Sequence, residues 1–378
     1  MPTDHHAHSA ASSEPPRPHV GPVVNDQVHR ERFDTHELAI VLSHFDIGVI
    51  EQLRPYPRGS RRSPKLRIKS QRGEFLLKRR AHGQDDPFRV AFAHDLQLHL
   101  AQQNYPVPGL IGTRDDNNSM LQFAGRVYEL FNYIHGTRVD GSPAAAMQAG
   151  AALGHLHRLL HDYRSPYPPG TGSFHGVSAI GAKMSLLPGA VAAVEPQTDR
   201  TTVGQTVDFL RRAYLDAAQR VDDLDFPAWP REIVHGDWHP GNLLLRDGRV
   251  VAVLDFDSSR LEPRVVDVAN AALQFSMRVD AGEDPLNWPE GFDANLIRAI
   301  VRGYDQASYA PLTKSECLAL PWLMVEGLII EAIVPIVATG SFSQISGSSF
   351  LRMVERKVKW LRPRAANLSE VLMQESGA

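Results

Sequence analysis

The stretch IVHGDWHPGNLLLRDGRVVAVLDFD, Ile233 to Asp257, sets His235, Asp237, His239 and Asn242 within eight residues, then adds Asp255 and Asp257. Asp247-Gly248 is a strong hairpin signal, and Val250 to Leu254 reads as a buried β run. A hairpin here joins Asn242, at the start of one strand, to Asp255, at the end of its partner. Asp237 lies on the loop just before Asn242. Three oxygen-bearing side chains thus converge by topology, and hard oxygen donors of this kind suit Mg²⁺, which takes its remaining ligands from water and substrate phosphates. The bland alternative is a pair of polar turns flanking a hairpin. It is disfavoured because unpaired acids beside a buried strand pair are costly without a ligand.

Asp237 and Asn242 fit D-x-x-x-x-N, the catalytic-loop spacing of protein kinases, with His235 in the leading position and Asp255-Phe256 where D-F-G would follow. The third residue is Asp257, not Gly. HGDWHPGN together with DFD resembles the signature of the aminoglycoside phosphotransferase and choline kinase superfamily. FLLKRR, YPVPGLI and YELFNYIHG look most like its homoserine kinase type II and spore-coat kinase-like branch. The resemblance covers about residues 35 to 365.

It implies an α+β, protein-kinase-like two-lobe fold: a small antiparallel β-rich N-lobe and a larger, mainly helical C-lobe. It also implies ATP and Mg²⁺ as cofactors and a small-molecule hydroxyl as acceptor. Asp237 is then the catalytic base, and Asn242 and Asp255 hold the metal. His235 packs beneath the metal-side Asp, and Asp267 braces the loop or is an ordinary helix N-terminal charge. His239 and Trp238 fall on the loop's open side, facing phosphate or acceptor, or, for His239, bracing the loop. Asp257 assists the metal or bonds loop backbone.

These residues need elements to position them. KLRIKS and EFLLKRR alternate as strands about an RG turn. The second sets Leu76, Lys78 and Arg80 on one face, and the resemblance makes Lys78 the phosphate-binding lysine. The loop PRGSRRSP offers Ser60 and its neighbouring amides to phosphate. The link YELFNYIHG is expected to meet the adenine edge with backbone near Glu129 and Phe131. The helix DPFRVAFAHDLQLHLAQQ should supply a Glu to pair with Lys78 and has none; Asp95 and His94 are the substitutes in reach. From this the chain divides into an N-terminal arm at 1–28, an N-lobe at 29–133 and a C-lobe at 134–378, where helices are expected over 202–222, 264–280, 294–308, 315–338 and 346–361.

Composition narrows the rest. The chain has 378 residues with a net charge of -3, so no global basic field argues for nucleic acid. Its single cysteine, Cys317, excludes an internal disulfide and a cysteine zinc cluster, and fits a cytoplasmic setting. The apolar run WLMVEGLIIEAIVPIVATG carries Glu326, Glu331 and Pro335, a poor membrane span and a good buried helix. The polar, Pro-rich N-terminus has no secretory core segment; its His5, His6 and His8 read as a floppy tail. Acidic candidates for the acceptor pocket, such as Asp280, Glu283, Glu326 and Glu331, read equally as helix-surface charges, and none is singled out. The rival readings are a non-catalytic nucleotide-binding pseudokinase and a coat or scaffold protein that keeps the fold.

Overall fold

A computed structural model describes residues 30–279 and 284–377. The expected N-terminal arm, with His5, His6 and His8, and the acidic pair Asp280 and Glu283 lie outside them. The fold is α+β and protein-kinase-like: a five-stranded antiparallel sheet followed by a mostly helical remainder.

Helix α1 (Thr35–Ser43) opens on a capping box in which Asp34 accepts from the His36 and Glu37 amides and Glu37 accepts from the Asp34 amide. Strands β1 (Ile50–Pro55), β2 (Lys65–Ser70) and β3 (Gly73–Arg79) form a meander, and α2 (Pro87–Gln102) follows. Strands β4 (Leu121–Phe123) and β5 (Arg126–Asn132) complete the sheet in the order β1-β2-β3-β5-β4. Alternation along β3 works as the sequence predicts. Phe75 and Leu77 enter the sheet's own core with Ile68, Leu130 and Val41, while Leu76 and Lys78 face the opposite side.

The second part begins with α3 (Pro143–Leu160), capped by Ser142 with Pro143 in its first turn. Helices α4 (Ile180–Val194) and α5 (Arg200–Asp222) precede four short strands: β6 (Glu232–Val234), β7 (Leu243–Arg246), β8 (Arg249–Val253) and β9 (Arg260–Glu262). Then come α6 (Val265–Ser276), α7 (Ala294–Ala307), α8 (Lys314–Thr339), the small hairpin β10 (Ser341–Phe342) and β11 (Ile345–Ser346), α9 (Gly347–Leu361) and α10 (Ala365–Ser376). The five expected helices are present within two residues at most ends, except that α6 stops at Ser276, short of 280.

Helix α8 is long and apolar enough to cross a membrane by composition, yet 72% of its most apolar window is buried inside the protein. It is the axis of the larger core, contributing Leu320, Met324, Leu328 and Ile333. Helix α2 joins that same core through Phe92, Leu96 and Leu100, so it fastens the sheet to the helical part.

Candidate active site

Two small ladders frame the site. β6 pairs with β9 (Val234 opposite Arg260), and β7 pairs with β8 (Leu243 opposite Val253). Asp247 and Gly248 turn the second hairpin with φ of 51° and 73°, both positive as a type I′ turn requires. The Leu254 amide bonds the Asn242 carbonyl at 2.9 Å, so the two hairpin ends meet. The loop 235–242 and the turn 254–259 are therefore held at both ends and face each other.

The loop is braced from below. Asp267, fully buried in the first turn of α6, accepts from the His235 amide (2.6 Å) and the Gly236 amide (2.8 Å) and bonds His157 (3.2 Å). Burial would raise the Asp267 carboxyl, but His157 and these donors hold it below its usual range. His235 is buried, its Nε2 bonding the Leu254 carbonyl (3.0 Å) and its Nδ1 accepting from the Asp237 amide (3.3 Å). Gly236 has φ +79°, and a Cβ there would run into the Ser258 carbonyl and the Arg260 guanidinium.

Asp237 projects into the cleft with its side chain 44% exposed. The Asn242 amide nitrogen donates to its carbonyl (3.0 Å) and carboxylate (3.1 Å). His239 lies 3.6 Å away; its Nδ1 accepts from the Gly241 amide, which turns Nε2 toward Asp237. Burial raises the Asp237 carboxyl, and the imidazole more than offsets this, holding it below the ordinary value. His239 therefore braces the carboxylate. The open-side reading fails for Trp238, which is fully buried edge-on to His235. Asp255 sits at φ +64°, a strained conformation for a side chain with a Cβ, which turns its carboxylate into the cleft.

A cavity of about 420 Å³ lies between the sheet and this loop, lined by Lys78, Glu129, Phe131, Asp237, Asn242 and Asp255 among others. Lys78 reaches Asp257 (3.0 Å), Glu129 (3.5 Å) and Asp255 (4.0 Å). Burial would lower its pKa; Glu129 and Asp257 instead hold it above the ordinary lysine value. Arg80 shares both acids, bonding Glu129 at 2.8 Å and Asp257 at 2.6 Å.

Three expectations change here. The Lys78 partner comes from the sheet, since Glu129 is directly opposite Lys78 in the β3–β5 register. His94 bonds Glu129 (2.7 Å) rather than the lysine, and Asp95 turns away to accept from Tyr163 (2.7 Å). Glu129 and Phe131 are also not where backbone is free for a base. The Arg80 amide bonds the Val127 carbonyl and the Tyr133 amide bonds the Glu74 carbonyl, so odd-numbered residues of β5 aim at β3. The outward positions are Asn132 and Ile134, and both line the cavity.

Third, Ser60 does not line the cavity: its hydroxyl accepts from the Arg62 amide and caps its own turn. Gly59 and Lys65 line it instead, and Asp257 pairs with the two sheet cations rather than with loop backbone. Lys65, opposite Lys78 in register, was missed; a lysine at the head of an alternating strand carries no sequence signal until the register is known. Burial, then the Lys78 charge, pushes its pKa down.

The donor set fits a hard divalent cation. The Asn242 nitrogen is committed to Asp237, which leaves its Oδ1 for a ligand, and the Asp255 carboxylate lines the same cavity. Among the described residues no group of three His, Cys, Asp or Glu forms a metal cage, so phosphate oxygens and water would complete the shell.

Residues 52–313 match the model of the phosphotransferase enzyme family. The chain belongs to that family. Transfer of phosphate to a small-molecule hydroxyl is its chemistry. The chain is 25% identical over 294 residues to a homoserine kinase of Acidiphilium cryptum (strain JF-5), covering 76% of this chain and 81% of the relative. It is 25% identical over 311 residues to a homoserine kinase of Beijerinckia indica subsp. indica, covering 80% and 85%. Among solved structures, the fold is shared with the amicoumacin kinase hAmiN in complex with AMP-PNP, Ca²⁺ and Ami (TM-score 0.64, 14% identity, 86% of this chain and 93% of that one). It is shared also with a microcompartment-associated aminopropanol kinase (TM-score 0.59, 14% identity, 89% and 99%).

Proposed function

We propose that this phosphotransferase uses ATP with Mg²⁺ and transfers the γ-phosphoryl group to the hydroxyl of a small amine-bearing acceptor, an amino alcohol, amino sugar, aminoglycoside or homoserine-like compound. The observation that carries this is the meeting of Asp237, Asn242 and Asp255 opposite Lys78 across one cavity. Lys78 and Lys65 would bind phosphate from the sheet side. Gly59 keeps the β1–β2 loop clear of Lys65, because a Cβ there would come within 2.5 Å of the ammonium. The Asn132 carbonyl and the Ile134 amide would offer backbone to the base, since the Asn132 amide already donates to the Gly109 carbonyl at 2.8 Å. A divalent cation at Asn242 and Asp255 would neutralise charge on the nucleotide phosphates.

Asp237 would accept the acceptor's hydroxyl proton as that oxygen attacks the γ-phosphorus and the bond to the β,γ-bridging oxygen breaks, releasing ADP. Such catalysis is mostly positioning and charge stabilisation. The homoserine kinase and aminopropanol kinase names support an amine-bearing acceptor. The pseudokinase reading drew on the missing helix Glu, and Glu129 now fills that role from β5. We further propose a cytoplasmic enzyme.

The test is Mg²⁺-dependent ADP release across homoserine, aminopropanol, choline, amino sugars and aminoglycosides. Asp237→Asn should lower acceptor-stimulated turnover by roughly 10²–10⁴ while ATP still raises the melting temperature. A wild-type protein that no hydroxyl compound stimulates, and that ATP does not stabilise, would sink the proposal.

A further inference from the structure

Glu331 lies on α8, outside the cavity lined by Lys78 and Asp255, but close to the catalytic loop. One side chain spans the gap. The Asn270 amide, in the orientation that satisfies both neighbours, accepts from the Trp238 amide (3.2 Å) and donates to Glu331 Oε1 (3.0 Å). Gln274, one turn further along α6, donates to the other carboxylate oxygen. The Glu331 carboxylate is thus fixed by two neutral amides and sits one amide's width from the residue beside Asp237.

Its setting is unusual for a helix-surface acid. It is open to solvent, and among the described residues it forms no ion pair. The charges that act on it are Asp237, which repels it, and His239, which attracts it and is already engaged with Asp237. Protein crowds its inner side while its outer edge keeps solvent, and that crowding and then the Asp237 charge push its pKa up to about 7. A plain structural role would be met more cheaply by a neutral side chain. A cation entering with the acceptor removes the conflict, because it gives both carboxylates a positive neighbour.

We infer that Glu331, positioned by Asn270 and Gln274, is the specificity-determining residue that binds the ammonium group of the acceptor while its hydroxyl meets Asp237. This rests on the phosphotransferase reading and adds to it a rule of recognition. The acceptor carries a primary amine and an alcohol joined by a short aliphatic spacer. A hydrogen-bonded charge pair in a cleft is worth roughly 10- to 100-fold in affinity.

The full-length protein is tested with matched acceptors, 3-amino-1-propanol against 1,3-propanediol and homoserine against 4-hydroxybutyrate, as wild type and as Glu331→Gln. The wild type should favour the amine members by roughly 10- to 100-fold in kcat/KM. Glu331→Gln should bring that ratio close to one, chiefly by raising KM for the amines, with the KM for ATP unmoved. A ratio that survives the substitution, or an equal loss for amine and diol, overturns the assignment. Calorimetry of 3-amino-1-propanol and of homoserine with the MgADP-loaded protein decides it without turnover. At least tenfold weaker binding of either by Glu331→Gln supports the assignment, and equal binding or none by the wild type overturns it. Wild-type protein that binds the amine but transfers phosphate to nothing would instead refute the phosphotransferase reading.

Discussion

Glu129→Gln tests how the sheet positions Lys78. The substitution keeps the size of the side chain and removes one charge from a buried group of four. Glu129 is 1% exposed and touches Lys78 (3.5 Å), Arg80 (2.8 Å) and His94 (2.7 Å). Breaking a buried ion pair by removing one partner costs roughly 3–5 kcal/mol. Asp257 still contacts both cations, at 3.0 Å and 2.6 Å, so the expected loss is about 2 kcal/mol. Lys78 then follows Asp257 toward the hairpin turn and away from the phosphate path. A loss of about 1.4 kcal/mol in that contact raises the KM for ATP tenfold.

The measurements are urea unfolding and the KM for ATP, with Asp95→Asn as the control. Asp95 accepts only from Tyr163 in the described structure and should leave the KM for ATP unchanged. The pair's pH behaviour is also fixed. Burial would raise the Glu129 carboxyl, but Lys78 and Arg80 hold it well below its ordinary value. Its contribution is therefore present above the unfolded glutamate pKa and is lost only as pH falls below that value. If Glu129→Gln leaves both stability and KM unchanged while Asp95→Asn raises KM, the helix is the true source of the lysine's partner and the register argument is wrong.

Gly236→Ala should lower kcat by at least tenfold, since the new Cβ meets the Ser258 carbonyl and strains the loop by roughly 1–3 kcal/mol. Circular dichroism should stay native; unchanged kcat would contradict the account. Burial, then Arg356, pushes the Lys357 ammonium down to about 8 although it donates to the Pro289 carbonyl at 2.7 Å. The unfolded chain thus binds more protons between about pH 8 and 10, and stability should rise with pH across that window. Subtracting the urea profile of Lys357→Met should isolate the rise, and parallel profiles would refute it. For an amine acceptor, KM should fall as pH climbs through about 7, because the ammonium needs Glu331 ionised. Glu331→Gln should flatten that limb, and a limb kept in the variant would assign it to His239 instead.

The meeting of Asp237, Asn242 and Asp255 was legible because its geometry is local: a D-G turn fixes the hairpin, and the hairpin fixes the meeting. Glu129 was seen but misread. Its pairing with Lys78 depends on the register of strands about fifty residues apart, and no local pattern encodes that. Trp238 looked solvent-facing among polar neighbours, yet tertiary packing claims it for the core. Helix α4 escaped notice because Gly181, Pro188 and Gly189 interrupt it, and α10 because Pro363 precedes it. Glu331 could not be told from other helix acids, since its meaning comes from Asn270 on a neighbouring helix.

Arg80 and Asp257 have a kinetic consequence. Arg80 follows the sheet's central strand, Asp257 rides the turn that carries Asp255, and the two are clasped at 2.6 Å. Together with the contact between Lys78 and Asp257, the pair fastens the sheet to the hairpin across the cleft. Any hinge-like widening that releases product must part this ion pair and the Lys78 contact beside it. Opening of the cleft is then a step that ionic strength should accelerate.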